Sequence, residues 1–110
     1  MPRLDEAIAK LLGFAVRDEF APKAISVTTT VSQLLKNNPD RLAWGIFNLG
    51  SEIAYVHFSP EVSSSLGCYL DKNGGSLLFR YDTDFSLVGF PWYIVGAGST
   101  TCYLYSLEGA

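Results

Sequence analysis

Hydrophobic and polar positions follow two different periods along this chain of 110 residues. From 4 to 16 the apolar residues recur every three or four positions, which places them on one face of a helix. Pro22 cannot continue such a helix. The pattern predicts an amphipathic helix within 1–20 that ends between Phe14 and Phe20. Its apolar stripe consists of Leu4, Ala7, Ile8, Leu11, Leu12 and Ala15.

After Pro22 the pattern changes to short runs of β-branched and aromatic residues, separated by turn residues. Such runs predict strands, and parallel strands would need crossover helices that this pattern lacks. The fold class is therefore expected to be mainly β, with an antiparallel β-sandwich or a jelly-roll-like barrel over 24–110. The candidate strands are 24–31, 41–49, 53–58, 66–70, 76–81, 92–97 and 101–107.

Alternation along these strands predicts which side chains share a face. Neither face of 53–58 or of 101–107 is strongly charged, so we expect partner subunits to cover part of an outer face. The side chains predicted to fill the core are Trp44, Ile46, Val56, Phe58, Leu78, Ile94, Val95 and Leu104.

The apolar stripe of the predicted N-terminal helix needs a surface to cover it, because an isolated helix of this length is marginal in water. The following linker, 17–23, is expected to be extended and exposed, so that the helix reaches a neighbouring copy or another partner surface. Packing against its own sheet is the alternative. Trp92 follows Pro91 at a strand start and is expected to be exposed. The interface candidates are thus Leu4, Ile8, Leu11, Leu12 and Trp92.

Composition and charge narrow the class of partner. Charged residues make up 17% of the chain and hydrophobic residues 48%, which is typical of a folded domain. A net charge of -3 leaves no basic stripe, so neither nucleic acid nor an anionic membrane surface is an expected partner. The chain shows neither a signal-peptide pattern nor an apolar run of membrane-spanning length, so we expect a soluble protein made inside a cell.

Candidate catalytic residues are few. His57 is the only histidine, and a hydrolase with a histidine base would have to use it. It lies in a strand between apolar residues, where an ordinary sheet residue is the simpler interpretation. Glu52 and Glu61 flank the same region, but nothing in the sequence places them at a separation suited to acid-base catalysis. No catalytic residue and no enzymatic activity are predicted.

Metal and cofactor signals are also weak. Asp71, Asn73, Asp82 and Asp84 lie in turns where oxygen ligands can bind calcium, but the EF-hand spacing is absent and tight turns favour the same residues. The glycine groups lack the context of a phosphate-binding loop. We therefore predict no metal and no cofactor. The two cysteines, Cys68 and Cys102, are expected to be buried thiols, with a single disulfide as the alternative.

Several motifs stand out between 37 and 108: Asn38-Pro39-Asp40-Arg41 before an apolar strand, the turn from Asn48 to Gly50, "YVHFSPEVSSSLG", "GGSL" and "WYIVGAGSTTCYLYSLE". Together these motifs resemble small β-sheet proteins encoded among the structural genes of tailed bacteriophages. The resemblance spans about 37–108 and leaves the N-terminal helix uncovered. It departs from the family at 56–58, where glycine is common, and at the segment "FSLVGFPWY".

The resemblance implies a virion component without catalytic residues, such as a head decoration, head-fibre or tail-associated subunit. Its partners would be copies of itself, the major capsid protein or a tail protein. A carbohydrate-binding module is the second hypothesis, because tryptophan and tyrosine faces stack on sugar rings. Trp92 would carry that activity. A small hydrolase that depends on His57 is the third hypothesis.

Overall fold

The computed structural model describes residues 16–19, 21 and 23–109. This part of the chain contains nine strands, a single α-helical turn, α1 (Tyr81–Asp84), and a 3-10 turn (Phe85–Gly89). The strands are β1 (Val16–Asp18), β2 (Lys23–Val27), β3 (Ser32–Leu35), β4 (Arg41–Asn48), β5 (Ala54–His57), β6 (Cys68–Leu70), β7 (Gly75–Arg80), β8 (Trp92–Gly96) and β9 (Thr100–Gly109).

The strands in the described ranges form two antiparallel sheets. Sheet 1 has the order β1-β9-β4-β7, and β2 pairs with β9 on the same edge as β1. Sheet 2 has the order β3-β8-β5-β6. With β1 and β2 taken as one interrupted strand, the first strand pairs with the last, the second with the seventh, the third with the sixth and the fourth with the fifth. This nested pairing is the jelly-roll arrangement, and the predicted mainly β class is confirmed.

All seven predicted strand regions contain a strand, and two further strands were missed. β1 and β3 are short edge strands without clear alternation in their sequence. β1 begins inside the segment predicted as helix or exposed linker, so the chain is already paired to the sheet at Val16–Asp18. The rest of the N-terminal helix prediction, with Leu4, Ile8, Leu11 and Leu12, lies outside the described residues.

The core lies between the two sheets and is rich in aromatic rings. The Trp44 ring stacks on Phe79 with centroids 4.8 Å apart, and Trp92 lies 5.0 Å from Trp44 and 4.6 Å from Phe79. Five predicted core residues are confirmed with at most 1% exposure: Trp44, Ile46, Val56, Ile94 and Leu104.

Three predicted core residues lie elsewhere. Leu78 is 55% exposed, because the inward side chains of β7 are Leu77 and Phe79, and a shift of one position moves a side chain to the other face. Val95 lies on the outer face of β8 for the same reason, between buried neighbours. Phe58 follows the end of β5 and is 41% exposed.

The expectation that Trp92 is exposed is wrong. Its side chain is 2% exposed, since the inward positions of β8 are Trp92, Ile94 and Gly96. Its Nε1–H donates to the carbonyl of Leu87 at 3.0 Å, which fixes the 3-10 turn over one end of the core. Trp92 is therefore a core residue that cannot contact a partner or a sugar without unfolding.

A matched pair of leucines tests this assignment of faces. Leu104→Ala should lower the free energy of unfolding by about 2–5 kcal/mol, because its side chain is fully buried. Leu78→Ala removes the same atoms from an exposed position and should cost less than about 1 kcal/mol. Denaturant melts of both variants check the prediction. Similar losses in the two variants would show that the faces are assigned incorrectly.

Candidate assembly surfaces and the polar clusters between them

A buried arginine organises the end of the sandwich where β4 begins. The side chain of Arg41 is fully buried, and its Nε and Nη2 donate to the two carboxylate oxygens of Glu19 at 2.7 and 2.9 Å. Nη1 donates to the carbonyls of Val88 and Phe90, and Nη2 also donates to that of Lys36. All five N–H groups of the guanidinium are thus used, which is what a buried arginine requires.

Glu19 joins this arginine to the neighbouring strands. It accepts hydrogen bonds from the Ser106 hydroxyl and from Asn38 Nδ2, the latter at 3.0 Å. Burial raises the pKa of Glu19, but hydrogen bonds from Arg41, Ser106 and Asn38 and the arginine charge outweigh burial and lower it. Glu19 was expected to lie in an exposed linker. The structure corrects this, because the buried charge of Arg41 needs a partner.

A second polar cluster lies where β4 ends. Asn48 is fully buried, and its Nδ2 donates to the carbonyl of Glu52 at 2.7 Å and to that of Leu70 at 3.4 Å. Its Oδ1 accepts from the Gly50 amide at 3.1 Å and from the Thr100 hydroxyl at 2.8 Å. Asn48 therefore fixes the loop after β4 through its side chain. In the described chain the positive φ angles belong to Asn73 and Gly74, not to the Asn48–Gly50 turn.

The outer face of sheet 1 is apolar along most of its length. Phe47, Leu78 and Tyr103 are 39%, 55% and 37% exposed. The ring of Tyr105 lies directly over Gly45, where a Cβ atom would come within 2.4 Å of it, and stacks beside Phe47 with centroids 6.1 Å apart. The glycine thus lets an aromatic ring lie flat on the sheet.

The charged side chains of this face lie at its rim. Asp18, Leu107, Ala43 and Arg80 occupy one row of paired residues across sheet 1, at the end where β4 begins. Asp18 is on one edge strand and Arg80 on the other, where the Arg80 guanidinium also lies 3.3 Å from the exposed carboxylate of Asp82. An exposed ion pair of this kind is weak in water, so the row still ends in an acid on one side and in a basic side chain on the other.

The outer face of sheet 2 carries tyrosines. Its solvent-facing strand positions are Gln33, Tyr55, His57, Tyr69, Tyr93 and Val95, and none of these described positions is Lys, Arg, Asp or Glu. Tyr55 and Tyr69 meet edge to face with centroids 6.1 Å apart, and Tyr69 is 55% exposed. Both outer faces are therefore unusually poor in charge for the surface of a small domain.

The candidate catalytic and metal-binding residues are not brought together. Glu52 and Glu61 lie beyond opposite ends of β5. Asp71 and Asn73 precede β7 while Asp82 and Asp84 follow it, so they cannot share one calcium ion. Among the residues that the structure describes, no group of three or more metal-ligating side chains occurs, and no helix is long and apolar enough to cross a membrane.

The two cysteines are free thiols in the structure. Cys102 is fully buried, as expected, and burial raises the pKa of its thiol to about 11. Cys68 is half-buried, and its pKa is raised by burial as well. At neutral pH both thiols are protonated and therefore weakly reactive.

Comparison with known proteins finds similarity in fold and not in sequence. No protein-family model matches the chain, and no curated protein matches it in sequence. A solved structure described as "Bacillus endospore appendages form a novel family of disulfide-linked pili" has a similar fold, with a TM-score of 0.51 and 11% sequence identity. The similarity covers 86% of this chain and 88% of that one. At this identity the likeness concerns the fold alone. It agrees with the small β-rich fold that the resemblance to phage proteins implies, while the relationship to phage proteins stays a prediction.

The depressed pKa of Glu19 predicts a loss of stability in acid. The ion pair stabilises the fold fully above the unfolded-chain glutamate pKa of ~4.3, and this contribution is lost as the pH falls through the lower folded-state pKa. Glu19→Gln should cost about 3 kcal/mol at pH 7, because it leaves Arg41 buried without a counter-charge. The difference in the free energy of unfolding between this variant and the wild type should become smaller in acid.

Denaturant melts between pH 7 and pH 3 measure this difference. Arg17→Gln is the control, because Arg17 is 64% exposed where it pairs with Glu108 and should contribute less than about 1 kcal/mol. A constant gap between Glu19→Gln and wild type across this pH range would contradict the assigned role of the ion pair.

Proposed function

We propose that this protein is a non-enzymatic structural subunit that assembles with copies of itself through its outer sheet faces. The observation that carries the proposal is the exposed apolar face of sheet 1, where Phe47, Leu78 and Tyr103 lie on a rigid β framework. Contiguous apolar surface of this kind marks an interaction site in a soluble protein. The polar residues that the fold needs lie at the ends of the sheets, so an assembly can bury the faces without burying unpaired charge.

Charge at the rim favours a second copy as the partner of sheet 1. Two copies can place their outer sheet 1 faces against each other around a two-fold axis that runs parallel to the strands. The row from Asp18 to Arg80 in one copy then faces the same row of the other copy in the reverse order. Asp18 of one copy then lies opposite Arg80 of the other, and the apolar centres meet. Such a self-complementary contact is the usual way in which identical subunits pair.

The size of this face indicates that pairing is one contact of several. Four strands at ~4.8 Å spacing and eight residues at ~3.4 Å rise give a face of roughly 500 Å². A stable interface buries about 800 Å² on each partner. We infer that a stable assembly combines the sheet contact with a further one, as subunits of fibres and shells do.

A virus particle is the setting that we propose for this subunit. The motifs between 37 and 108 that resemble phage structural proteins support a head decoration or a head- or tail-associated subunit. Its partners would then be copies of itself together with the major capsid protein or a tail protein, and it would be made in the host cytoplasm. The fold shared with a pilus subunit supports the broader role of building block.

Sheet-mediated assembly predicts the behaviour of charge variants. Leu78→Asp should raise the protein concentration needed for association at least about tenfold, because it places an unpaired charge on the exposed apolar face that the contact buries. Ser64→Asp adds the same charge in an exposed loop and should have no effect. Asp18→Arg should weaken association, and adding Arg80→Asp should restore part of it. Light scattering and electron microscopy measure the assemblies.

Two results would contradict the proposal. One is a wild-type chain that stays monomeric at every concentration reached. The other is an equal effect of Leu78→Asp and Ser64→Asp on association.

Carbohydrate binding is a second candidate function, now centred on sheet 2. Trp92 is buried and cannot stack on a sugar, but Tyr55, Tyr69 and Tyr93 lie on one outer face with polar side chains beside them. The Tyr69 hydroxyl contacts Asp71 Oδ1 at 3.4 Å, which holds its ring at the edge of the face. If this face binds glycans, Tyr69→Ala should abolish binding on a glycan array while Tyr103→Ala on sheet 1 should not. Equal signals from both variants would refute a sugar site there.

A further inference from the structure

An apolar cleft opens at the end of the sandwich where β4 begins. Its volume is about 350 Å³, and its walls include Pro39, Leu42, Tyr81, Val88 and Phe90. Tyr81 is 44% exposed. The cleft is therefore lined mainly by aliphatic and aromatic groups and is open to a neighbouring molecule.

The chemistry of the walls selects an apolar occupant. Arg41 also borders the cleft, but its five N–H groups are already bonded to Glu19 and to three backbone carbonyls. It offers no donor to an anion. A ligand that carries a phosphate or carboxylate would thus find a positive charge that is already neutralised, whereas an aliphatic side chain would find complementary walls.

The opposite end of the same strand presents an aliphatic side chain. Leu49 follows the last residue of β4 and is 60% exposed, more than any other large hydrophobic residue in the described part of the chain. Its amide donates to the Thr101 carbonyl at 2.9 Å, and the next amide, that of Gly50, donates to Asn48 Oδ1. Leu49 is thus held on a fixed backbone, some 27 Å from the cleft at the rise of a β-strand.

We propose that Leu49 of one copy inserts into the cleft of the next, in a head-to-tail contact along the direction of β4. This inference rests on the proposed role as a self-assembling subunit and supplies the second contact that the limited area of the sheet face requires. The two surfaces of the contact differ, so it is heterologous. Heterologous contacts close into a ring or repeat without limit as a filament, and either outcome gives an assembly of more than two copies.

Disulfide trapping tests the contact directly in the full-length protein. Leu49→Cys and Ser86→Cys place one thiol on the inserted residue and one on the cleft wall. A disulfide needs Cα atoms about 4.4–6.8 Å apart, so a crosslink between these two positions reports that residue 49 lies against the cleft wall. Under mild oxidation, a mixture of the two single variants should give a crosslinked dimer on a non-reducing gel. The double variant should give a ladder of crosslinked species.

Two controls should show no crosslink: each single variant alone, and a mixture of Leu78→Cys with Ser86→Cys.

Leu49→Asp gives an independent readout of the same contact. It should lower end-to-end association at least about tenfold while leaving the melting temperature unchanged, because the side chain is exposed in the single chain. Assemblies that form normally with Leu49→Asp, or that give no 49–86 crosslink, would overturn this contact and leave the structural role standing. A wild-type chain that never associates would overturn both.

Discussion

The pairing of Arg41 with Glu19 is the constraint on which the rest of this fold depends. A guanidinium buried without a counter-charge would remove a large share of the stability of a small domain, so the fold holds the chain segment that carries Glu19 on the sheet. That segment bridges β1 and β2. The same guanidinium also fixes the chain at Val88 and Phe90, and thereby shapes the cleft. One buried cation thus determines an edge of sheet 1 and an end of the molecule.

Asn48 has the corresponding role at the other end of β4, without a charge. Its amide uses both donors and both acceptor positions on groups from the following loop and from the neighbouring strands β6 and β9. Because Arg41 and Asn48 satisfy the polar groups at the two ends, the middle of the sandwich can be apolar on the outside as well as inside. The exposed rings of sheet 1 and the tyrosines of sheet 2 are the result. Stability and surface chemistry are therefore carried by different residues.

Local patterns were enough to predict the strands, because β-branched and aromatic runs between turn residues reflect how side chains pack on a pleated surface. They were not enough to predict which face is buried. Leu78 and Trp92 were each assigned to the wrong environment, since a strand's phase depends on its partners and a shift of one residue reverses it. The sequence suggested that Arg41 pairs with an acid across the sheet, but it did not identify Glu19, because the two residues lie 22 positions apart and meet only across β9.

The sheet contact and the head-to-tail contact can form in one assembly, because both leave the β4 strands of all copies pointing in the same direction. A two-fold axis along the strands leaves both copies pointing the same way, so their clefts lie at the same end and their Leu49 side chains at the other. Each member of the pair can then accept the next copy along β4 without disturbing the sheet contact. If the head-to-tail contact repeats without closing, the two proposed contacts together would give a polar double filament in which the outer faces of sheet 1 are covered from the side and the clefts from the end. A two-fold axis perpendicular to the sheet would instead leave the outer faces of both copies pointing in the same direction. Neither face would then cover the other, and the apolar rings would stay exposed.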